Sequence, residues 1–261
     1  MNEVVDIKGK VVVVTGAAAG MGKAIALKYA AGGANVVAND LNAEALQALL
    51  DEAKSLDGKV VPVAGDTSDE LVIGQMLEEA KKLGKLDVLI CNAGIMDNFA
   101  PVEDVTDDIW QRVMNVNLNA PFRQIRAAMP LLEENKDGGS IIITASVGGL
   151  RGGPAGATYV ASKHGVIGLM KAVAYASADK GVRCNAIAPG AVATDIGKNM
   201  AEAYGKNMHE AGMAKSMKGM GLNPRNGSPD EIANIALFLG SDASSLINGA
   251  TIVADAGWST Y

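Results

Sequence analysis

Cysteine and histidine are scarce: the 261 residues hold two of each, Cys91 and Cys184, His164 and His209. Both cysteines lie inside apolar runs and far apart, which excludes a disulfide framework. With only two scattered histidines the chain cannot supply a four-ligand zinc centre, and no metal is expected. The cysteines read as small packing residues in a reducing compartment, most simply the cytoplasm. Neither histidine has a partner at ligand or triad spacing, so neither is assigned a catalytic role. Basic clusters are missing too. The net charge is −6 and the lysines and arginines are dispersed, so nucleic acid and anionic membranes are not expected partners, because phosphate binding needs a concentrated basic surface. No apolar run reaches the length of a membrane span. The opening MNEVVDIKGK carries acids and does not resemble a secretory signal. Linkers, internal repeats and low-complexity stretches are also lacking, which predicts one domain over residues 1–261.

What is present is a globular composition, 49% apolar and 20% charged, with a regular rhythm. Short β-branched runs alternate with longer helical patterns. KVVVVT (10–15) reads as a strand, and KAIALKYAAGG as a helix with a glycine stop. ANVVAND, KVVPVAGD, LDVLICNAG, SIIITAS, VRCNAIAPG and ATIVADAG read as six more strands. AEALQALLDEAKSLDG reads as a helix ended by Gly58, and SDELVIGQMLEEAKKLG as the next. Thr106 is expected to cap one long helix running through DDIWQRVMNVNLNAPFRQIRAAMPLLEE. Unbroken apolar strands are buried on both faces. The expectation is therefore an α/β fold, a doubly wound parallel seven-stranded sheet with helices on both faces.

One stretch breaks the rhythm. Residues 195–227 are too long for a plain connector and contain Met200, Met208, Met213, Met217 and Met220. They read equally as a lid over a hydrophobic ligand, since methionine adapts to irregular apolar surfaces, or as the packing of a helical insertion. The helix after it opens on Ser228-Pro229-Asp230-Glu231, a capping box with proline in the first turn.

The first strand runs directly into Thr15-Gly16-Ala17-Ala18-Ala19-Gly20-Met21-Gly22 and a helix. Glycines there permit a tight turn and close backbone approach to a pyrophosphate, and the helix start supplies free N–H groups and a positive dipole. Asp40 ends the second strand, where a carboxylate can accept hydrogen bonds from the ribose hydroxyls of an adenosine; the alternative is an acid that merely caps a loop. Its charge would repel a 2′-phosphate, no cation stands beside it, and Ala19 is neutral. NAD is expected over NADP.

Tyr159 and Lys163, in TYVASKHGV, stand one helical turn apart on one face. Ser146 precedes the tyrosine by thirteen residues at a strand end, where it could also be a simple cap. Asn117 lies in NVNLN, where it could bridge a helix to a neighbouring backbone. Together with TGAAAGMG, Asp66, Asn92-Ala93-Gly94, and Pro189-Gly190 with Thr194, these residues resemble the short-chain dehydrogenase/reductase family essentially end to end. Cys91 departs from the pattern, standing where the family often has asparagine.

The resemblance implies a Rossmann-like fold and a set of roles. Gly16, Ala19, Gly20, Met21 and Gly22 would cradle the dinucleotide, with Asp40 and Leu41 at the adenosine and Asp66 and Thr67 near the adenine. Asn92, Ala93 and Gly94 would lie beside the adenosine ribose, and Pro189, Gly190, Val192 and Thr194 against the nicotinamide carboxamide. Tyr159 would be the acid/base, and Lys163 would depress its pKa and bind the nicotinamide ribose. Ser146 would stabilise the substrate oxygen, and Asn117 would hold a water linking Lys163 to solvent. Bringing a phenol from about 10 to about 7 takes roughly 4 kcal/mol, which a lysine and a positively charged nicotinamide can supply. Substrate would meet Ile95, Met96, Ser146, Val147, Gly148, Tyr159 and Gly190, the glycine-rich loop of residues 147–157 and the insertion. Arg151 either stays solvated or meets a polar end of the substrate. The expected activity is NAD-dependent interconversion of a secondary alcohol and a ketone, alicyclic or steroid-like, by a homotetramer. A 3-oxoacyl thioester reductase, a sugar dehydrogenase and a non-catalytic NAD-binding redox sensor are the alternatives.

Overall fold

The computed structural model describes residues 5–194 and 196–260; Met1–Val4, at the start of the opening segment, and Asp195, the first residue of the insertion, lie outside the described residues. Valine runs become strands because β-branched side chains pack well on a pleated surface. The elements alternate as the apolar rhythm requires: β1 (Val11–Thr15), α1 (Gly20–Ala31), β2 (Asn35–Asp40), α2 (Ala43–Ala53), β3 (Val60–Ala64), α3 (Glu70–Leu83) and β4 (Leu86–Cys91). The second half comprises α4 (Asp107–Met114), α5 (Ala120–Glu133), β5 (Gly139–Thr144), α6 (Ala157–Ala176), β6 (Val182–Pro189), α7 (Ile196–Tyr204), α8 (Glu210–Met220), α9 (Pro229–Gly240) and β7 (Thr251–Ala254).

The seven strands form one sheet in the order β3-β2-β1-β4-β5-β6-β7, and every pairing is parallel. Strand residues alternate between two cores. Val11 and Val13 join Ile73, Met76, Ile125, Leu132, Val166 and Met170 from α3, α5 and α6 on one face. Val12 and Val14 join Ile25, Tyr29, Leu46, Leu49, Ile232 and Leu239 from α1, α2 and α9 on the other. Pro62, which cannot donate to a ladder, sits in β3, an edge strand, where it does no harm. Strand order reverses between β1 and β4, and the crevice outside the carboxyl ends at such a switch point is where open α/β sheets bind ligands.

Two expectations need correction. The second helix stops at Ala53, not at Gly58. Gly58 serves a close approach instead: its N–H donates to the Ala30 carbonyl at 2.8 Å, and a Cβ there would stand 1.9 Å from the Ala34 oxygen. The long helix capped by Thr106, whose hydroxyl accepts from Ile109 N–H, is interrupted by a π-helical turn over Asn115–Asn119. The extra residue in that turn lets Asn117 face inward, where it is buried; such π turns often occur at functional sites.

Candidate active site

The glycine loop is built as its sequence demands. Gly16 and Gly20 adopt φ of +66° and +52°, conformations that cost a side chain energy. A Cβ on Gly22 would stand 1.9 Å from the Gly16 oxygen, so only glycine lets α1 begin so close to the turn. Asn42, Asp69, Thr106 and Ser228 cap their helices with side-chain oxygens, but Ala19, at the start of α1, has none to offer, and the first turn holds no acid. An uncapped first turn behind a glycine loop is what a pyrophosphate needs. These residues fit a dinucleotide.

The remaining cofactor-site expectations converge on this loop unevenly. The Asp40 carboxylate accepts from Ala18 N–H and Asn42 N–H, each at 3.0 Å, so it braces the loop and keeps lone pairs for a diol. Leu41 is exposed beside it. Asn92 donates to the Thr15 and Gly16 carbonyls at 3.0 and 3.3 Å and accepts from Thr144 at 3.1 Å, tying β1, β4 and β5 together. Asp66 is engaged by the Ser68 N–H and hydroxyl at 2.8 Å, and Thr67 by Gln124. The segment after β6 closes over the loop: a Cβ on Gly20 would come 3.1 Å from the Thr194 methyl. Val192 bridges to Gly227, and Gly190 N–H donates to Ala254 at 3.0 Å.

Tyr159 and Lys163 are both buried on α6, and Ser146 follows β5. A Cβ at Gly148 would contact both the Tyr159 ring at 3.2 Å and the Ser146 hydroxyl at 3.4 Å. Lys163 Nζ donates to the Thr144 carbonyl at 2.8 Å and lies 5.7 Å from the Tyr159 ring centroid. Around Gly94, a Cβ would meet Lys163 Nζ and Asn117 Oδ1, each at 3.3 Å. The Asn117 side chain accepts from Ile95 N–H and donates to the Ile95 carbonyl, both at 2.9 Å, and to Ser162 at 3.1 Å.

Burial governs the ionisable groups of this cluster. Burial raises the Tyr159 phenol above its ordinary value, the Ser146 hydroxyl opposes that, and the Asp97 carboxylate adds to it. Burial alone pushes Lys163 down to about 8. Desolvation disfavours the charged form of each, phenolate and ammonium alike. Asp97 is a residue that sequence reasoning missed. It is buried, and its carboxylate accepts from the backbone N–H of Tyr159 at 2.9 Å.

Val147, the residue after Ser146, lines a cavity of about 240 Å³ together with Gly153 and Pro154 from the loop, Ser216 and Gly219 from α8, and Trp258. The loop and the insertion both contribute walls to this cavity, while Trp258, at the far end of the chain, was not foreseen. Its indole N–H donates to the Gly219 carbonyl at 2.8 Å. A lone tryptophan in a short tail after the last strand was the available signal. Of the individual residues expected to meet substrate only Val147 lines this cavity; Ile95, Met96, Ser146, Gly148, Tyr159 and Gly190 do not, and the Met96 carbonyl accepts from the Tyr204 hydroxyl at 3.0 Å. Arg151 also lines the cavity but spends a guanidinium N–H on the Ser259 carbonyl at 2.7 Å. The described residues of the insertion fold as α7 and α8, and none of its five methionines is fully buried.

Both cysteines are unpaired and buried, and burial pushes both thiols up, Cys184 to about 12, so neither is a nucleophile at neutral pH. Among the described residues no helix is long and apolar enough to cross a membrane.

A family model described as enoyl-(acyl carrier protein) reductase matches residues 16–259. A 3beta-hydroxysteroid dehydrogenase of Eggerthella lenta is 43% identical, over 98% of this chain and 96% of its own. A 3-oxoacyl-[acyl-carrier-protein] reductase of Thermotoga maritima is 38% identical, over 96% and 98%. A cyclohexanol dehydrogenase of an Acinetobacter species is 36% identical, over 96% and 95%. Among solved structures, a short-chain dehydrogenase of Mycobacterium paratuberculosis bound to NAD superposes with a TM-score of 0.89 at 29% identity, covering 98% of this chain and 100% of that one. A Beutenbergia cavernae chain with bound NADP gives 0.83 at 33%, covering 97% and 98%. Matched end to end in sequence and fold, the chain belongs to the short-chain dehydrogenase/reductase family of oxidoreductases.

Proposed function

We propose that the chain is an NAD-dependent oxidoreductase that interconverts a secondary alcohol, alicyclic or steroid-like, with its ketone. The observation that carries this reading is the meeting of Tyr159 and Ser146 around Gly148, at the end of the sheet that also bears the glycine loop, with the adjoining Val147 lining an apolar cavity. The nicotinamide supplies the hydride acceptor in oxidation and the hydride donor in reduction. Tyr159 takes the alcohol proton as the hydride leaves carbon, and returns it in the reverse direction. Ser146 donates a hydrogen bond to the reacting oxygen as charge develops there.

The phenol is protonated by default in its buried setting, which suits ketone reduction directly. To act as a base it needs positive charge nearby, from Lys163 and from the nicotinamide. Asn117 acts as a positioning residue, holding the backbone of Ile95 and the face of α6 around Lys163, with a water between Lys163 and solvent completing the proton relay. Preference for NAD rests on Asp40 and the absence of a cation beside it. The Eggerthella and Acinetobacter relatives act on ring alcohols by name, which supports the substrate class.

Partly exposed Trp110 and Phe122 on α4 and α5 support the homotetramer, and the two unpaired thiols support the cytoplasm. The test is nicotinamide absorbance during incubation with a panel of ring alcohols, sugars and 3-oxoacyl thioesters, with Tyr159→Phe as control. Ring alcohols are expected to turn over, with activity about 10²–10⁴-fold lower in the variant and NAD binding retained. Turnover of sugars or thioesters alone, or a fully active variant, refutes the reading.

A further inference from the structure

The segment between Gly94 and Ala100 carries a carboxylate that neither the cofactor loop nor proton transfer uses. Asp97 is 1% exposed. Its Oδ1 accepts from Gly156 N–H at 3.0 Å and Phe99 N–H at 3.1 Å, and its Oδ2 from Tyr159 N–H at 2.9 Å. Gly156 immediately precedes α6 and caps it with no side chain of its own. The cap that other helices receive from a local oxygen comes here from sixty residues away, and it seizes the N–H of the tyrosine itself. A Cβ on Gly156 would stand 2.6 Å from Oδ2, so glycine makes room for the carboxylate.

The neighbours of Asp97 face the other way, into the insertion. Met96 accepts from the Tyr204 hydroxyl at 3.0 Å, and the Asn98 carbonyl accepts from His209 N–H at 2.9 Å. The Asn98 side chain donates to the Asn207 carbonyl at 3.0 Å. A Cβ on Gly212 would stand 2.0 Å from the Phe99 oxygen. Phe99 itself is held at φ +65°, a conformation that persists only where its surroundings over-determine it. Residues 96–99 are thus a strut pinned to the insertion on one side and to the start of α6 on the other.

We propose that Asp97 is a positioning residue for Tyr159: its carboxylate fixes the start of α6 to the strut on which the substrate-covering insertion is seated, so the aim of the phenol depends on that seating. The inference rests on Tyr159 being the acid/base. Anchoring by a charge has an electrostatic consequence, because a carboxylate near the phenol disfavours phenolate. The other charged or titratable groups around the strut are Lys163 on α6, Tyr204 with the Arg112 guanidinium 5.6 Å from its ring centroid, and the His209–Asp104 pair at 3.1 Å. All of them remain in Asp97→Asn, so a change in the phenol's titration reports the lost carboxylate.

The test combines amide hydrogen exchange with the pH profile of the full chain. In the parent, the Gly156 and Tyr159 amides are expected to be strongly protected, and in Asp97→Asn to exchange about tenfold faster or more. With NAD binding kept within about threefold, the plateau kcat is expected to fall about 10- to 100-fold. The acid limb of the kcat profile should move to lower pH, which a merely structural anchor would not cause. Gly156→Ala displaces the carboxylate without removing its charge; it should lower kcat and leave the limb near the parent's, and it carries the test if Asp97→Asn does not fold. Rapid exchange of the two amides in the parent, unchanged exchange in the folded variant, a plateau rate within about twofold of the parent, or an unmoved limb overturns the proposal. The exchange readout needs no turnover. An inactive parent would sink the proposed function while leaving this contact testable.

Discussion

Lys163 donates its ammonium to the carbonyl of Thr144 at 2.8 Å, fastening the helix of Tyr159 to the end of the strand that delivers Ser146. The contact is buried and holds no carboxylate, so the cation is solvated by a dipole alone. Burial therefore pushes Lys163 down to about 8: the ammonium is held below that pH and lost above it. A reaction that needs this charge loses kcat/KM as pH rises through about 8. In Lys163→Arg the guanidinium stays charged, because its pKa exceeds about 12, and the alkaline limb is expected to vanish even if the plateau is lower. Profiles between about pH 6 and 10 bracket both limbs, and a parent with no alkaline limb contradicts the expectation.

Asp40 is expected to set the cofactor. On the proposed reading its charge would oppose a 2′-phosphate, and removing that repulsion is worth on the order of 1–2 kcal/mol, or roughly tenfold. Asp40→Ala should therefore cut the ratio of kcat/KM with NAD to that with NADP by about tenfold or more. Because the same carboxylate holds Ala18 N–H, NAD binding should weaken too. Titration of both cofactors against parent and variant measures both effects.

Trp258 makes one wall of the cavity and clamps α8 through Gly219. Trp258→Ala should lose about 3 kcal/mol of stability. If substrate fills this cavity, the variant should also raise KM for ring alcohols about tenfold while kcat changes less, as for a residue that meets substrate bulk and not the reacting oxygen. Calorimetry and steady-state kinetics separate the two effects, and an unchanged KM would show that substrate does not reach this wall.

Glu231 closes the capping box of α9 and pairs with Arg225 at 2.6 Å. Hydrogen bonds from Arg225 and then Ser228 hold its carboxyl at about 2, well below the ordinary value of 4.5. A depressed carboxylate stabilises the fold above its unfolded pKa and ceases to as pH falls through the folded one. Glu231→Gln is therefore expected to lower Tm by a few degrees at neutral pH. The gap should narrow as pH drops from 4.5 towards 2. Melting curves across that window check it; a gap independent of pH would mean the charge is idle.

Much of this was legible because it is local. A valine run between glycines can only be a doubly covered strand, and Gly16, Gly20 and Gly22 mark a turn no other residue fits. The four-residue spacing of Tyr159 and Lys163 already puts them on one face. Where the sequence misled, a distant contact had decided the matter. Gly58 looked like a helix stop, yet it is required by the passing backbone of Ala34. NVNLN carried a helical pattern, yet it opens into a π turn where Asn117 grips Ile95.

The chain order by itself determined the alternation of strand and helix, the parallel sheet, the glycine loop and the acid at the end of β2, since each follows from periodicity and backbone sterics within a few residues. The tertiary structure alone decided that Asp97 would cap the helix of Tyr159, that Trp258 would wall the cavity, and that burial would raise the Tyr159 phenol and lower the Lys163 ammonium. Those outcomes depend on which groups meet across the fold and how much water they exclude. A linear pattern carries neither quantity.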